Sequence, residues 1–172
     1  METTEGARMT CSLTALDLVG RFRRGEVSPV EAAEDALAAI GRVDGEINAF
    51  CLVDPEATLA AARESEERYR AGTPLGPLDG VPTSIKDIFY TRGRPTLRGS
   101  HLLADRDGAT DPDSWPEDAP VTAAVREAGC VVIGKTTTPE FAWKGVTDNT
   151  LTGITRNPHD PALTPGGSSG GA

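Results

Sequence analysis

The residues best suited to chemistry are two serines near the end of the chain and a lysine far before them. The segment Gly166–Ala172 places Ser168 and Ser169 between two pairs of glycines. Glycine permits positive φ angles and close approach of other atoms. The run therefore predicts a loop whose amides and hydroxyls surround a small reacting group. A flexible linker is the alternative for a Gly/Ser run.

The lysine is Lys86, which lies beside Asp87 in the apolar, strand-like stretch Val81–Ile88. Burial disfavours a charged amine and lowers its pKa from about 10.4, and a neutral lysine can act as a general base. Successive side chains of a strand point to opposite faces, so Asp87 need not pair with Lys86 and hold it charged. The alternative is a lysine that faces solvent.

Several motifs, taken in order, resemble the amidase signature family, which comprises hydrolases built on a Ser-cisSer-Lys triad. The matching segments are Gly76–Pro82, Ser84–Asp87, Gly134–Phe141, Thr155–Pro158 and Pro165–Gly171. Residues 12–70 resemble the N-terminal region of the family less specifically. The resemblance thus covers nearly the whole chain, and the ordered set is more specific than any single motif.

The resemblance implies a role for each residue of the triad that is present. Lys86 is expected to be the triad lysine, and Ser168 the bridging serine that follows a cis Gly167–Ser168 bond. Neutral Lys86 would take a proton from Ser168 while Ser168 takes one from a nucleophilic serine, which attacks an amide carbonyl. The supporting loop is expected to comprise Gly166, Gly167, Ser169, Gly170 and Gly171, with Ser169 forming hydrogen bonds within it. This chemistry requires no metal and no cofactor.

The nucleophile of the family lies in a second glycine-rich segment, of the type G-S/T-D-x-x-G-S, which this sequence does not contain. We therefore expect the nucleophile and the amides of the oxyanion hole to lie beyond Ala172. The chain is expected to be an N-terminal fragment of an amidase, and none of its own serines takes the missing role.

A different motif would predict nucleotide binding. Residues Gly129–Thr136 match the phosphate-loop pattern G-x-x-x-x-G-K-S/T. The variable positions of a working phosphate loop curl so that their amides surround phosphates. Here they read Cys-Val-Val-Ile, which is typical of a buried strand, and Pro139 follows where a long helix should continue. The sequence therefore argues against a nucleotide site.

The expected fold class is α/β, with N-terminal helices followed by part of a mixed, largely parallel sheet. We expect one domain, with a helical region at 1–72 and an incomplete α/β core at 73–172. Helix signals predict three N-terminal helices and one later helix. The first spans Ser12–Arg24, and the second runs from the Ser28 cap to Gly41 or Gly45. The third runs from the Asp54 cap to Arg70, and the later helix spans Asp118–Ala128.

Short apolar runs predict the strands, and two proline-containing segments predict loops. The strand candidates are Ile47–Val53, Val81–Ile88 and Cys130–Ile133, and a strand–helix–strand order between the last two favours parallel pairing. The acidic segment His101–Glu117 and the segment Asn149–Pro165 are expected to be surface loop and coil.

Composition limits the partners. The net charge of −9 argues against direct binding of nucleic acid. The odd set of Cys11, Cys51 and Cys130 predicts reduced, mostly packed thiols. No apolar run is long enough to span a membrane, and the acidic Met1–Glu5 lacks a signal-peptide pattern, which favours the cytoplasm.

The leading functional interpretation is an amidase that hydrolyses a small carboxylic amide to an acid and ammonia or an amine. The alternative is the A subunit of a tRNA-dependent (Glu/Asp) amidotransferase, which would release ammonia from glutamine and work with partner subunits. An inactive remnant or an interaction module is the third interpretation. A homodimer is compatible with each.

We predict that the 172-residue polypeptide alone hydrolyses no simple amide, because it carries no nucleophile for the triad. The measurement is ammonia release from an aliphatic amide and from glutamine. Turnover that disappears in the Lys86→Met variant would contradict this prediction.

Overall fold

The computed structural model describes residues 10–171, so Ala172 and the acidic segment Met1–Glu5 lie outside the described range. The described chain contains five α-helices, at Ala15–Arg24 (α1), Pro29–Ile47 (α2), Pro55–Arg70 (α3), His101–Ala104 (α4) and Pro120–Glu127 (α5). Its strands are Phe50–Val53 (β1), Pro82–Lys86 (β2), Val131–Thr136 (β3), Asp148–Asn149 (β4) and Gly153–Ile154 (β5). Among these helices, none is both long and apolar enough to cross a bilayer.

Local sequence signals set the starts of the N-terminal helices. Ser28 and Glu31 form a reciprocal capping box at the start of α2, with Pro29 in the first turn. Asp54 accepts a hydrogen bond from the Ala57 amide at the start of α3. Gly25, at φ 66°, ends α1 in the left-handed conformation, which glycine adopts without steric cost.

Three strands form the main sheet in the order β1-β3-β2, which makes the fold α/β with a mixed sheet. β2 runs parallel to β3, with Lys86 opposite Thr136, whereas β1 runs antiparallel to β3. Helices α2 and α3 cover one face of β3 and bury a small apolar cluster that includes Ala33, Ala62, Val131 and Ile133. A second cluster packs α1 against the start of β2.

Two boundary predictions were wrong. Helix α2 continues past Gly41 and Gly45 to Ile47 and ends at Asn48, whose φ is 54° and whose amide bonds the Asp44 carbonyl oxygen at 2.7 Å. A glycine inside a helix costs only about 1 kcal/mol relative to alanine, so neither glycine ends a helix that is capped further on. Helix α1 begins at Ala15, because Thr14 takes the N-cap position, and Thr10–Ser12 forms a separate short 3-10 helix.

The segments expected to be loop and coil are more structured than predicted. Residues 101–117 contain α4 and a short 3-10 helix, and the Trp115 side chain is buried, with its indole N–H donating to the Ala109 carbonyl oxygen. Residues 148–154 form the β4–β5 hairpin. The three cysteines are free thiols, of which Cys51 and Cys130 are partly buried and Cys11 is exposed.

A buried carboxylate ties the end of α3 to the chain that enters β2. Asp79 is fully buried and accepts hydrogen bonds from the Arg68 guanidinium, at 2.6 and 2.9 Å, from the Ser65 hydroxyl and from the Leu75 amide. Burial alone would raise the pKa of Asp79, but these donors outweigh it and hold the pKa below its ordinary value. Asp79 thereby fixes where β2 begins.

We predict that Asp79→Asn lowers the free energy of unfolding by about 3 kcal/mol, because it breaks a buried ion pair. This value is the lower end of the usual range, since Arg68 is partly exposed. Since folding lowers the pKa of Asp79, its stabilisation is complete above the ordinary carboxyl pKa of about 4 and is lost as the pH falls towards the folded pKa. Urea unfolding across this range measures both effects. The exposed Asp107→Asn is the control, and equal losses in the two variants would contradict the prediction.

Candidate active site

The site lies at the edge of the sheet where the parallel strands β2 and β3 both end. Lys86 is the last residue of β2 and Thr136 the last of β3, and the two are register partners. The ladder continues one step, because the Asp87 amide donates to the Thr136 carbonyl oxygen at 2.9 Å. Side chains that leave the two strands are therefore held next to each other.

Lys86 is half-buried and has no charged partner. Among residues 10–171 it forms no ion pair or hydrogen bond through its amine, and its stem packs against Gly171. Desolvation lowers the pKa of Lys86 below the ordinary lysine value. Partial burial therefore favours the neutral amine more than bulk water does.

Asp87 points away from Lys86, as strand alternation predicts. Its carboxylate lies 2.8 Å from the amine of Lys135, a buried residue of β3. The sequence reasoning did not assign this pair. The available signal was the lysine inside the apolar strand β3 together with the aspartate that directly follows the neighbouring strand β2.

The phosphate-loop motif does not form a phosphate site. The six residues of β3 are all buried in an extended strand, so their amides are not curled around a cavity. The Lys135 amine also donates to the Pro95 carbonyl oxygen and the Thr96 hydroxyl. With Asp87 as the third acceptor, all three N–H donors of the Lys135 amine are used.

The Gly/Ser loop, Gly166–Gly171, meets this edge, and its Gly167–Ser168 peptide bond is cis, as the resemblance implies. The backbone of the loop comes close to three neighbours. A side chain at Gly167 would overlap the Gly145 carbonyl oxygen, one at Gly170 would lie 2.5 Å from the Thr147 hydroxyl, and one at Gly171 would lie 2.8 Å from Lys86 Cγ. Glycine is required at these positions because any Cβ would collide.

The hydroxyls of the two serines are exposed and, within the described range, have no hydrogen-bond partner. The expected bond between Ser168 and Lys86 is therefore not formed in this structure, and neither is the expected hydrogen bonding of Ser169 within the loop. Direct backbone packing and a bond from the Thr136 hydroxyl to the Gly171 carbonyl oxygen hold the loop instead.

Threonine hydroxyls form the floor beside the loop, and sequence reasoning gave them no role. Thr137 and Thr155 share a 2.6 Å hydrogen bond, and Thr155 donates to the Asn48 carbonyl oxygen at the end of α2. Thr147 is 2% exposed, and its hydroxyl has no partner among the described residues. The run of threonines directly after an apolar strand was the available signal.

These groups enclose a cavity of about 370 Å³. Threonines 136, 137, 147 and 155 line it together with Ile47, Ala49, Arg156 and every residue of the Gly/Ser loop except Ser168. A space of this size, bordered by hydroxyls and by loop backbone, suits a small polar group or a segment of polypeptide.

We predict that Gly167→Ala displaces the loop and lowers the free energy of unfolding by about 1–3 kcal/mol, as overpacking does. Gly145→Ala is the matched control, because a Cβ at Gly145 meets no atom within 4 Å. Urea unfolding and the amide chemical shifts of residues 166–171 measure the two effects. Identical behaviour of the two variants would disprove the close contact.

Known proteins resemble the chain in sequence and in fold. The chain is 43% identical over 163 residues to the A subunit of a glutamyl-tRNA(Gln) amidotransferase from Salinispora tropica, and the match covers 94% of this chain and 31% of that protein. A solved bacterial aryl acylamidase of the amidase signature family is 29% identical, with a TM-score of 0.82, over 93% of this chain and 32% of its own. A structure described as part of a vestigial complex related to an s-triazine catabolic enzyme is 36% identical, also with a TM-score of 0.82, over 92% of this chain and 34% of its own.

The chain spans about a third of the length of the relatives it matches. The model of the Amidase family matches residues 31–172, which include both strands of the site and the whole Gly/Ser loop. On this match and on the likeness in fold, the chain belongs to the amidase signature family.

Proposed function

We propose that the chain is part of an enzyme that releases ammonia from a carboxamide, and that it corresponds to the A subunit of an amidotransferase acting on glutamine. The observation that carries the proposal is the meeting of an unpaired, partly desolvated Lys86 with the Gly/Ser loop at one edge of the sheet. The 43% identity to an amidotransferase subunit over nearly the whole chain supports this choice.

In the proposed reaction, neutral Lys86 takes a proton from the Ser168 hydroxyl, and Ser168 takes one from a nucleophilic serine in a further part of the protein. The nucleophile attacks the carboxamide carbon, and the relay then returns a proton to the departing ammonia. Water cleaves the acyl-enzyme. The relay requires Ser168 to turn towards Lys86 from its exposed position in this structure.

A general amidase is the second candidate. Trp143 is 78% exposed, two residues before the Gly145 that packs against Gly167, and offers an apolar surface suited to a bulky amide. The aryl acylamidase structure that resembles this chain supports the same candidate. The two candidates differ in substrate but share Lys86 and Ser168.

The decisive experiment begins with the source DNA beyond the codon for Ala172. An open frame that encodes a G-S/T-D-x-x-G-S segment supports the proposed enzyme, and a stop codon favours an inactive remnant or an interaction module. The longer product is then assayed for ammonia release from glutamine, with and without partner subunits encoded nearby, and from aliphatic and aryl amides. Activity on simple amides but not on glutamine would favour the general amidase.

We predict that Lys86→Met and Ser168→Ala each lower kcat/KM of the longer product by about 10²–10⁴-fold, the usual contribution of a proton-transfer group. Arg63→Met, at an exposed position of α3, is the control and should retain activity. Full activity in either of the first two variants would refute the assignment.

We also predict that the amine of Lys86 titrates below the ordinary lysine value of about 10.4, because partial burial disfavours its charged form. The chain has only three lysines, so the ¹³Cε resonances can be assigned with Lys→Arg variants. A titration at or above the ordinary value would show that Lys86 remains charged and would remove the base from the mechanism.

A further inference from the structure

The proposed relay does not use the buried pair of Lys135 and Asp87. Lys135 is fully buried, its amine lies 2.8 Å from Asp87 Oδ1, and the Asp87 side chain is 6% exposed. Desolvation raises the pKa of Asp87 and lowers the pKa of Lys135, so burial opposes both charges. Apolar residues of the same volume often stabilise a core at least as well as such a pair. What the pair adds is a set of directional hydrogen bonds.

Those hydrogen bonds hold one segment, residues 95–100, which we call the strap. The Lys135 amine donates to the Pro95 carbonyl oxygen at 2.8 Å and to the Thr96 hydroxyl. On the other side of the pair, Asp87 Oδ2 accepts a hydrogen bond from the Arg98 amide at 2.8 Å. Both members of the pair therefore fix the strap.

The strap in turn holds residues 138–149, which we call the turn. The Phe141 amide donates to the Arg98 carbonyl oxygen at 2.9 Å. The Ser100 hydroxyl bonds the Glu140 carboxylate at 2.6 Å. Gly99 has φ 62°, and a Cβ there would lie 2.8 Å from the Thr138 carbonyl oxygen, so the two backbones are in direct contact.

The turn carries the groups against which the Gly/Ser loop packs. The Gly145 carbonyl oxygen lies against Gly167, and the Thr147 side chain lies against Gly170. Beyond these, Gly171 covers the stem of Lys86. A continuous series of contacts thus runs from the buried pair to the strap, the turn, the loop and Lys86.

We propose that the Lys135–Asp87 pair is a positioning device that sets the Gly/Ser loop against Lys86 by fixing the strap and, through it, the turn. Lys135, the lysine of the apparent phosphate loop, thereby receives a role inside the fold. The inference rests on the proposed function only for the importance of Lys86 and Ser168. The coupling itself is a property of the described contacts and can be tested without amide turnover.

The test uses the isotopically labelled 172-residue chain and its Lys135→Met variant. We expect hydrogen exchange of the Phe141 amide to accelerate by at least about tenfold, because its bond to the strap is loosened. We also expect the pKa of Lys86 to rise towards the ordinary lysine value, because water reaches the amine once the loop withdraws.

The matched control is Arg68→Met, which breaks the other buried ion pair of this region, at the opposite end of β2. Arg68→Met should lower the overall free energy of unfolding. The exchange rate of the Phe141 amide, taken relative to that of core amides, and the pKa of Lys86 should both stay unchanged. If both variants changed the Phe141 exchange rate and the Lys86 pKa equally, the Lys135–Asp87 pair would only stabilise the fold in general. That result would overturn the proposal.

A milder pair of variants guards against unfolding of Lys135→Met. Thr96→Val preserves the shape of the strap but removes one acceptor of the Lys135 amine, whereas Thr96→Ser retains it. We expect Thr96→Val to move both reporters in the same direction as Lys135→Met, and Thr96→Ser to restore them. No change in Thr96→Val would disprove the coupling, whatever the activity of the longer enzyme.

Discussion

The parallel pairing of β2 with β3 is the constraint on which the site depends. Parallel strands end at the same edge of a sheet, and here the register sets Lys86 directly opposite Thr136. Every later contact uses this edge. The Thr136 hydroxyl bonds the Gly171 carbonyl oxygen, and Gly171 lies against Lys86. A register shift of one residue would turn Lys86 towards the other face and replace it with Asp87 or Ile85.

Strand β2 is fixed near both ends by a buried carboxylate. Asp79 precedes the strand and binds Arg68 of α3, while Asp87 follows it and binds Lys135 of β3. Between these two anchors, the apolar clusters press the helices onto the sheet. The lysine of the site therefore projects from a short element whose position is set from two directions, and the role proposed for Lys86 requires rigid support of this kind.

Backbone contact rather than side-chain contact joins the Gly/Ser loop to the rest of the molecule. Its glycines pack against a carbonyl oxygen, a threonine hydroxyl and a lysine stem, at distances that no Cβ could occupy. This arrangement leaves the Ser168 and Ser169 hydroxyls free of hydrogen bonds within the described range. It also borders the threonine-lined cavity, where a polar group of a substrate or of further polypeptide would find hydroxyl partners.

Features that depend on near neighbours in the chain follow from local sequence patterns. Capping residues set the starts of α2 and α3, since a Ser, Asp or Glu side chain satisfies amides within the same turn. Strand alternation separated Lys86 from Asp87, and the ordered motifs identified the family. Contacts formed in the folded chain set the partner of Asp87, the continuation of α2 past two glycines, the burial of Trp115 and the support of the loop by Gly145 and Thr147. These features join residues distant in the chain or depend on a cap further along it, and their energies come from packing and desolvation, which local sequence patterns do not record.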